Sequence, residues 1–309
     1  MMYAVLLGSG GSCPRSTRPL TSAYLKVDGT TILIDCGEGT QMACYKAGVK
    51  IYDISVICLT HLHADHVLGL PGLLLSMDQI LKANREHNRK LVTVIGPPSC
   101  KSLVHSLISA APVKNLAVQF VAIEGNEQSF DFGSFVLKAY KVNHSVECYG
   151  YSVEEVMKPH FSLEKAESCG VGEETWKFLQ AGYKVVKGDR KYRLNDITEG
   201  EPSPRAKIAY VTDTLACDGV RKAVNGADLA IVEGMYFSDE DRPKLLKSMH
   251  MSFEGAATVA KEERVKRLWL THFSPTITDP LEGLGDARKI FPETYCGKCG
   301  MKMEVIGGR

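Results

Sequence analysis

The segment HLHADH, which begins at His61, places four side chains that can bind a metal within six residues. It follows the apolar run ISVICLT, which is typical of a strand buried on both faces. In an extended segment residues i and i+2 point the same way, so His61 and His63 can bind one ion. Asp65 and His66 lie where the chain turns into a helix and can face a second ion. Imidazole combined with carboxylate favours a divalent metal such as zinc.

Two ions need more ligands than this segment supplies, because one zinc ion takes about four. Three further candidates each follow an apolar run, at the strand ends where functional side chains tend to gather. These runs are LKAYKVN, IAYVT and LWLT. An aspartate between the two ions has two oxygens and can bridge them. We therefore predict His61, His63 and His144 on one ion, Asp65, His66 and His272 on the other, and Asp213 as the bridge.

Two alternatives to metal binding stay open at this point. A lone buried histidine is more often a hydrogen-bonded structural residue than a ligand, and this applies to His144 and His272 taken singly. A surface cluster of histidines is the other alternative. Burying four polar side chains without partners would cost several kcal/mol, which favours the metal interpretation for the cluster.

The surrounding elements begin with strands and then alternate helix and strand, twice over. Buried strands need helices on both outer faces, so we predict two sheets packed face to face and covered by helices. This is a four-layer αββα sandwich of the α/β (α+β) class. Residues 157–205 are polar and charge-rich without strong strand signals. We interpret them as an inserted, substrate-binding arm in one domain spanning 1–309.

Composition excludes several classes of protein. The 309 residues are 44% hydrophobic and 24% charged, which is typical of a globular domain. The net charge of +1 does not indicate a nucleic-acid binder, so RNA contacts must come from a local patch. With no secretory signal and no run of ~20 apolar residues, we expect a cytoplasmic protein without membrane contact and with reduced cysteines. We interpret Cys296 and Cys299, a lone CxxC pair, as two thiols in a turn.

HLHADH is similar to the HxHxDH signature of the metallo-β-lactamase superfamily. More narrowly, the chain resembles the ribonuclease Z family of tRNA 3′-processing endonucleases in segments spread over nearly its whole length. These are LLGSGGSCP, ILIDCGEGTQ, NHSVECYGY, YVTDT, HMSFEGAATVA and LTHFSP. The resemblance implies a metallo-β-lactamase-like sandwich, two Zn²⁺ ions, a homodimer, and an arm in residues 157–205 that grips precursor tRNA. We expect no nucleotide cofactor.

Metal pairs of this kind can activate water and clamp an in-line displacement at phosphorus. We expect Asp65 to orient that water and to accept its proton. The resemblance places His250 where it can protonate the leaving 3′-oxygen, and a helix-capping or surface histidine is the alternative. Asp35 and Glu233 both end apolar strands and could orient ligating imidazoles, although ordinary buried carboxylates fit equally well.

The segment KVVKGDRKYR in the arm carries five cations against one aspartate, next to two tyrosines. It is either a patch that follows RNA phosphates, with aromatic rings for stacking, or a solvated turn. The candidate RNA-binding residues are Lys184, Lys187, Arg190, Lys191 and Arg193.

We expect the chain to hydrolyse the phosphodiester 3′ of the acceptor stem in precursor tRNA, leaving a 3′-hydroxyl on the tRNA and a 5′-phosphate on the trailer. The alternative is a binuclear zinc phosphodiesterase for small or cyclic phosphodiesters, with an arm that is only structural. A third hypothesis is an RNA-binding protein whose metals only hold the fold. The intact ligand set argues against it.

Overall fold

The computed structural model describes residues 2–83, 89–111, 113–157, 159–180, 183–200 and 203–307. The chain divides into two compact units, one of Met1–Glu155 with Ala206–Arg309 and one of Val156–Arg205. The second unit is almost the same stretch as the arm predicted at 157–205. Its role in binding substrate stays a prediction.

The strands are numbered along the chain. They are β1 (Met2–Gly8), β2 (Ser22–Val27), β3 (Thr30–Ile34), β4 (Ile54–Cys58), β5 (Lys90–Gly96), β6 (Leu116–Ala122), β7 (Glu127–Asp131), β8 (Phe135–Val142), β9 (Cys148–Met157), β10 (His160–Phe161), β11 (Val185–Lys187), β12 (Arg190–Tyr192), β13 (Thr198–Glu199), β14 (Ser203–Val211), β15 (Leu229–Glu233), β16 (Leu268–Thr271), β17 (Thr294–Cys296) and β18 (Met301–Val305).

The α-helices are numbered in the same way. They are α1 (Thr40–Ala47), α2 (Ala64–Val67), α3 (Leu70–Ala83), α4 (Cys100–Ala110), α5 (Leu163–Ser168), α6 (Glu173–Gln180), α7 (Asp218–Val224), α8 (Arg242–Ser248), α9 (Phe253–Glu262) and α10 (Leu284–Ile290). Short 3₁₀ helices form at Ile51–Asp53, Leu194–Asp196, Asp239–Asp241 and Pro280–Gly283.

Two mixed seven-stranded sheets form the first unit. The first sheet has the order β18-β1-β2-β3-β4-β5-β6 and the second the order β17-β16-β15-β14-β9-β8-β7. Strands β3 to β6 pair in parallel, and so do β14 to β17. Since parallel strands end at the same edge of a sheet, side chains that follow β14 and β16 come out on one edge.

Alternation along the strands builds three apolar layers. Ala4 and Leu6 of β1 pack in the layer that also holds Trp269 of the second sheet. Val5 and Leu7 of the same strand pack instead with α1, α3 and α4 on the outer face. Helices α7, α9 and α10 cover the outer face of the second sheet. Burying one such large side chain stabilises the fold by about 1.5–3 kcal/mol. The predicted αββα sandwich is confirmed.

Helix α9 shows how local sequence sets an element next to the site. The Ser252 hydroxyl accepts a hydrogen bond of 2.9 Å from the backbone N–H of Gly255, which caps the helix and is worth about 1 kcal/mol. Ala256, Val259 and Ala260 recur at helical spacing and are buried. The helix that the sequence predicts in MSFEGAATVAKEE is therefore present.

Some element bounds differ from the sequence-based expectations. The single helix expected over VLGLPGLLLSMDQILKAN is interrupted between α2 and α3, and its last residue, Asn84, lies outside the described residues. At the interruption the chain passes close to another backbone segment, since a Cβ at Gly69 would lie 2.0 Å from the carbonyl oxygen of Gly37. The backbone N–H of Gly69 also donates to Cys36 at 2.8 Å. Strand β7 and helices α7, α8 and α10 were not anticipated, because they are short and their apolar spacing is weak.

The second unit has a small apolar core of its own. The core comprises Ala166, Val171, Leu179, Tyr192 and Ile197. Although the sequence has no strong strand signal here, two antiparallel ladders form, β10 with β13 and β11 with β12. Each strand is only two or three residues long, too short for an alternating pattern to show.

Among the described residues, no helix combines the length and the apolar character needed to cross a membrane.

Candidate metal centre

Strand ends deliver most of the polar side chains of this site. His61 follows β4 after two intervening residues, and His144, Asp213 and His272 come directly after β8, β14 and β16 or one residue later. Asp65 and His66, at the end of the HLHADH segment, lie in helix α2. The residues whose donor atoms meet here are His61, His63, Asp65, His66, His144, Asp213, His250 and His272.

One group of donors comprises His61, His63, His144 and Asp213, whose ligand atoms all lie within 4.8 Å of one another. Nε2 of His61 and Nδ1 of His63 are 2.9 Å apart, and Nε2 of His144 lies 3.4 Å from the same Nδ1. Oδ1 of Asp213 lies 3.8 Å from Nε2 of His61 and 3.9 Å from Nε2 of His144. The structure thus brings together the residues predicted for the first ion.

A second group comprises Asp65, His66 and His272. Oδ2 of Asp65 lies 3.4 Å from Nε2 of His66 and 3.6 Å from Nε2 of His272. Oδ2 of Asp213 lies 3.2 Å and 3.3 Å from the same two nitrogens. The two oxygens of Asp213 therefore face different groups, as a bridging residue requires.

Several of these donor atoms are buried without any hydrogen-bond partner. They include Nε2 of His66, Oδ2 of Asp213 and both ring nitrogens of His272. Buried polar atoms are usually paired, since leaving one unpaired costs free energy. A divalent metal held by imidazole and carboxylate would satisfy these atoms, so the donor set fits a metal centre.

A buried carboxylate network holds two of the imidazoles. Asp35 accepts a hydrogen bond of 2.8 Å from Nδ1 of His66, and one of 2.9 Å from the backbone N–H of Thr60. The Thr60 hydroxyl lies 3.0 Å from Nδ1 of His61. The Tyr210 hydroxyl donates to Asp35 at 3.1 Å. Asp35 thus contacts one of the predicted ligating imidazoles, and its role in orienting that ring stays a prediction, whereas Thr60 and Tyr210 were missed.

His250 lies inside the centre, only 8% exposed, two residues before Ser252, the cap of α9. Its Nδ1 lies 2.8 Å from Oε2 of the buried Glu233. Its ring centroid is 5.4 Å from that of His144 and 5.3 Å from that of His272. The sequence left open whether Glu233 orients an imidazole or is an ordinary buried carboxylate, and the imidazole it contacts is that of the predicted proton donor.

Known proteins are similar to this chain over nearly its whole length. A ribonuclease Z from Agathobacter rectalis is 38% identical over 99% of this chain and 99% of its own length. A ribonuclease Z from Lachnoclostridium phytofermentans is 37% identical over 96% of each chain. The chain belongs to the ribonuclease Z family. The recognition of this family from the sequence is confirmed, and this family member is a hydrolytic nuclease.

Two family models match this ribonuclease Z family member. One, described as anti-Pycsar protein Apyc1, matches residues 2–172, which is more than half of the chain, so the chain belongs to that family as well. The other, described as a beta-lactamase superfamily domain, matches residues 198–273. The crystal structure of the short form of human tRNase Z shares the fold, with a TM-score of 0.69 at 24% identity, over 98% of this chain and 99% of that one.

Burial keeps part of the centre neutral. Burial and the neighbouring His66 lower the pKa of His61 well below its usual value. Burial also lowers the pKa of His144, to about 4. Both imidazoles are therefore neutral near pH 7, which is the form that binds a metal.

Charge pairs dominate elsewhere in the centre. Burial opposes the charge of His66, but the carboxylates of Asp213 and Asp35 outweigh it and raise the pKa of His66 well above its usual value. Burial likewise opposes ionisation of Asp65, but the imidazoles of His272 and His66 close to its carboxylate hold the pKa of Asp65 far below its usual range. For His250 burial is outweighed by Glu233, which raises the pKa of His250 to about 9. Asp65 is thus ionised near neutral pH, the form in which a carboxylate binds a cation.

Three polar residues of the site adopt left-handed backbone conformations. Asp35, Asp213 and His272 have φ angles of 60°, 56° and 56°. In a residue with a Cβ this conformation costs about 1–2 kcal/mol. Such strain collects at functional sites, where the surrounding structure enforces it. No sequence pattern marks it, since none of the three is a glycine.

The glycine-rich loop after β1 closes one side of the site. A Cβ at Gly11 would lie 2.8 Å from Cε1 of His272, so only glycine fits without displacing that ring. The backbone N–H of Ser12 donates to Oδ2 of Asp65 at 2.8 Å. This contact was not predicted, although the run GSGG indicates a close backbone approach.

The predicted RNA-binding cations lie in the second unit, on and beside the hairpin of β11 and β12. All five are exposed: Lys184, Lys187, Arg190, Lys191 and Arg193. The guanidinium of Arg190 lies 5.0 Å from the ring centroid of Tyr192. Their contact with RNA stays a prediction.

The cysteines form no disulfide among the described residues. Cys296 is buried and Cys299 half-buried. Burial raises the pKa of Cys296 to about 12, which makes this thiol unreactive near neutral pH.

Proposed function

We propose that this chain is a zinc-dependent endoribonuclease that hydrolyses the phosphodiester 3′ of the acceptor stem in precursor tRNA. The products would be a tRNA with a 3′-hydroxyl and a trailer with a 5′-phosphate. The observation that carries the proposal is the pair of donor groups between which Asp213 divides its two oxygens. The relatives named ribonuclease Z support the choice of RNA as substrate.

The donor groups fit two zinc ions. His61, His63 and His144 would hold one, Asp65, His66 and His272 the other, and Asp213 would touch both. When bound, two such ions supply Lewis acidity and lower the pKa of water, which makes a strong nucleophile available near neutral pH.

Two side chains would handle the protons of the reaction. Asp65, whose Oδ2 accepts the backbone N–H of Ser12, would orient the attacking water and take its proton. His250 would donate a proton to the 3′-oxygen as its bond to phosphorus breaks. Glu233 holds Nδ1 of His250 and leaves Nε2 for the substrate.

The unit of Val156–Arg205 would hold the body of the tRNA. Its exposed cations can pair with backbone phosphates, and its exposed aromatic side chains can stack. Tyr183, for example, is 64% exposed. We also propose that the protein works as a homodimer in the cytoplasm, as the resemblance to the family implies.

The test is to incubate the zinc-loaded protein with a 3′-extended precursor tRNA and to map the cut. We expect a single cut after the acceptor stem, and none with Asp65→Ala. Asp286→Ala is the matched control, because Asp286 is an exposed aspartate that pairs with Lys289 on the surface. It should cut like the unsubstituted protein.

Hydrolysis of bis(p-nitrophenyl) phosphate should be measured in parallel. A protein that hydrolyses this small diester but leaves the precursor whole would contradict the RNA substrate and favour a smaller phosphodiester. A protein that hydrolyses neither, although it binds zinc, would contradict the hydrolytic assignment itself.

A further inference from the structure

A cavity of about 350 Å³ lies beside His250, outside the two donor groups. This volume falls at the low end of the range of about 300–1,000 Å³ for small-molecule pockets. It is large enough for one small planar group and too small for a helix. Apolar side chains from α8, from the loop after Asp213 and from the segment between α8 and α9 form much of its lining: Leu215, Leu245, Leu246 and Met251.

We infer that this cavity binds the nucleobase on the 5′ side of the scissile phosphodiester and selects bases that carry an amino group. The inference rests on the proposed function, because it requires an RNA substrate. It adds a specificity pocket to the cleavage centre.

The position of the cavity identifies which nucleotide would enter it. His250 lines the cavity, and its ring also lies 5.3–5.4 Å from those of His272 and His144. If His250 protonates the leaving 3′-oxygen, the ribose that carries this oxygen must lie against the same ring. The base on that ribose is the nearest planar group of the substrate, and the cavity is open to it.

The apolar lining suits the face of a base. Leu246 is 54% exposed while its neighbour Leu245 is only 5% exposed, so α8 presents an uncovered apolar side chain at the cavity. Unpaired bases in RNA are recognised by contact with their faces and by hydrogen bonds to their edges. A base lying on Leu246 would cover this surface.

The polar groups of the cavity give the selectivity. Asp239 lines it and is exposed, and its Oδ1 already accepts the Ser252 hydroxyl at 2.5 Å. An ionised carboxylate only accepts hydrogen bonds and repels a phosphate. It therefore favours an amino group, which adenine carries at N6, cytosine at N4 and guanine at N2, and uracil has none. Asn143 also lines the cavity, and its side-chain amide forms no hydrogen bond within the described part of the chain.

The experiment uses four precursor tRNAs that differ only in the unpaired nucleotide 5′ of the cut. We expect kcat/KM with adenosine, cytidine or guanosine there to exceed that with uridine by roughly tenfold, the value of one hydrogen bond to a charged acceptor. Asp239→Asn offers both a donor and an acceptor, so the ratio should fall towards one.

Leu246→Ala tests the apolar face. We expect kcat/KM to fall by roughly tenfold for all four precursors, the low end for loss of apolar contact in a binding pocket. Leu91→Ala is the matched control, since Leu91 is 50% exposed on β5 and lines no part of this cavity. It should leave kcat/KM unchanged, and thermal unfolding verifies that both variants are folded.

The inferred base pocket would be overturned if kcat/KM were equal for all four bases and if Asp239→Asn left the ratios of kcat/KM between them unchanged. Precursor cleavage would still support the proposed function in that case. A protein that leaves all four precursors whole but hydrolyses bis(p-nitrophenyl) phosphate would overturn the proposed function, and this inference with it.

Discussion

The two units of this chain present their polar side chains in opposite ways. In the first unit the donors His61 and His66 are fully buried and Asp213 is 3% exposed, each within reach of several others. In the second unit the cations around β11 and β12 are all exposed. Of these, Arg190 lies over a tyrosine ring, and the Lys187 ammonium donates to the carbonyl of Gly170 at 3.5 Å.

This difference decides how far each unit reveals its own function. Buried polar atoms without partners are costly, so the first unit is explained only by something that binds there. Exposed cations cost nothing to leave in water, so the charges of the second unit need no bound RNA to explain them. Chemistry can therefore be argued from the first unit, and RNA contact in the second must be measured.

The largest effect should come from the residue that both donor groups share. Asp213→Ala removes one oxygen from each donor group. We expect the zinc content to fall and the rate of precursor cleavage to drop by roughly 10³-fold, because metal ions supply several kcal/mol of charge stabilisation. Metal analysis after gel filtration and kcat/KM on precursor tRNA check this. Asp218→Ala is the control, an exposed aspartate five residues later. Full activity with Asp213→Ala would contradict a bridging role.

Deleting the second unit should come next. Replacing residues 159–200 with a short Gly-Ser linker removes a core made only of its own residues, so the sandwich should remain folded. We expect precursor cleavage to fall by at least about 10²-fold, the typical gain from a linked second binding site. Hydrolysis of bis(p-nitrophenyl) phosphate should be unchanged. Equal losses on both substrates would show that the unit supports the centre rather than the RNA.

A smaller loss is expected from the network behind the donors. Asp35→Asn replaces the carboxylate that holds Nδ1 of His66, and such changes typically lower metal affinity or activity by 10–100-fold. Zinc titration and kcat/KM measure it. Asp228→Asn is the matched control for Asp35→Asn. Asp228 is also buried, and it accepts a hydrogen bond from the backbone N–H of Lys207. It precedes β15 instead of following a strand. A loss in stability alone, at unchanged zinc affinity, would contradict the orienting role of Asp35.

Most of the donor residues that the structure brings together could be named from the sequence, because each is marked by a local pattern. HLHADH lies within six residues, and His144, Asp213 and His272 each follow an apolar strand. The sandwich follows from alternating burial, as in β1, where successive residues face different layers.

The supporting contacts could not be predicted, because they arise only when distant segments meet. Tyr210 reaches Asp35 across 175 positions of sequence, and nothing near Tyr210 marks it as a partner. Ser12 contributes a backbone N–H, which any residue carries. The left-handed φ of His272 is likewise imposed by its surroundings.

The smallest effect concerns single cations of the second unit. If Lys191 contacts a phosphate, Lys191→Ala should weaken binding of precursor tRNA by roughly threefold and reduce the slope of log K against log salt by about 0.7–0.9. Binding at several salt concentrations measures both. Lys82→Ala, at an exposed lysine near the end of α3 in the first unit, is the matched control. If both variants bind equally at every salt concentration, Lys191 belongs to a solvated turn, and the exposed charge of the second unit does not by itself indicate an RNA surface.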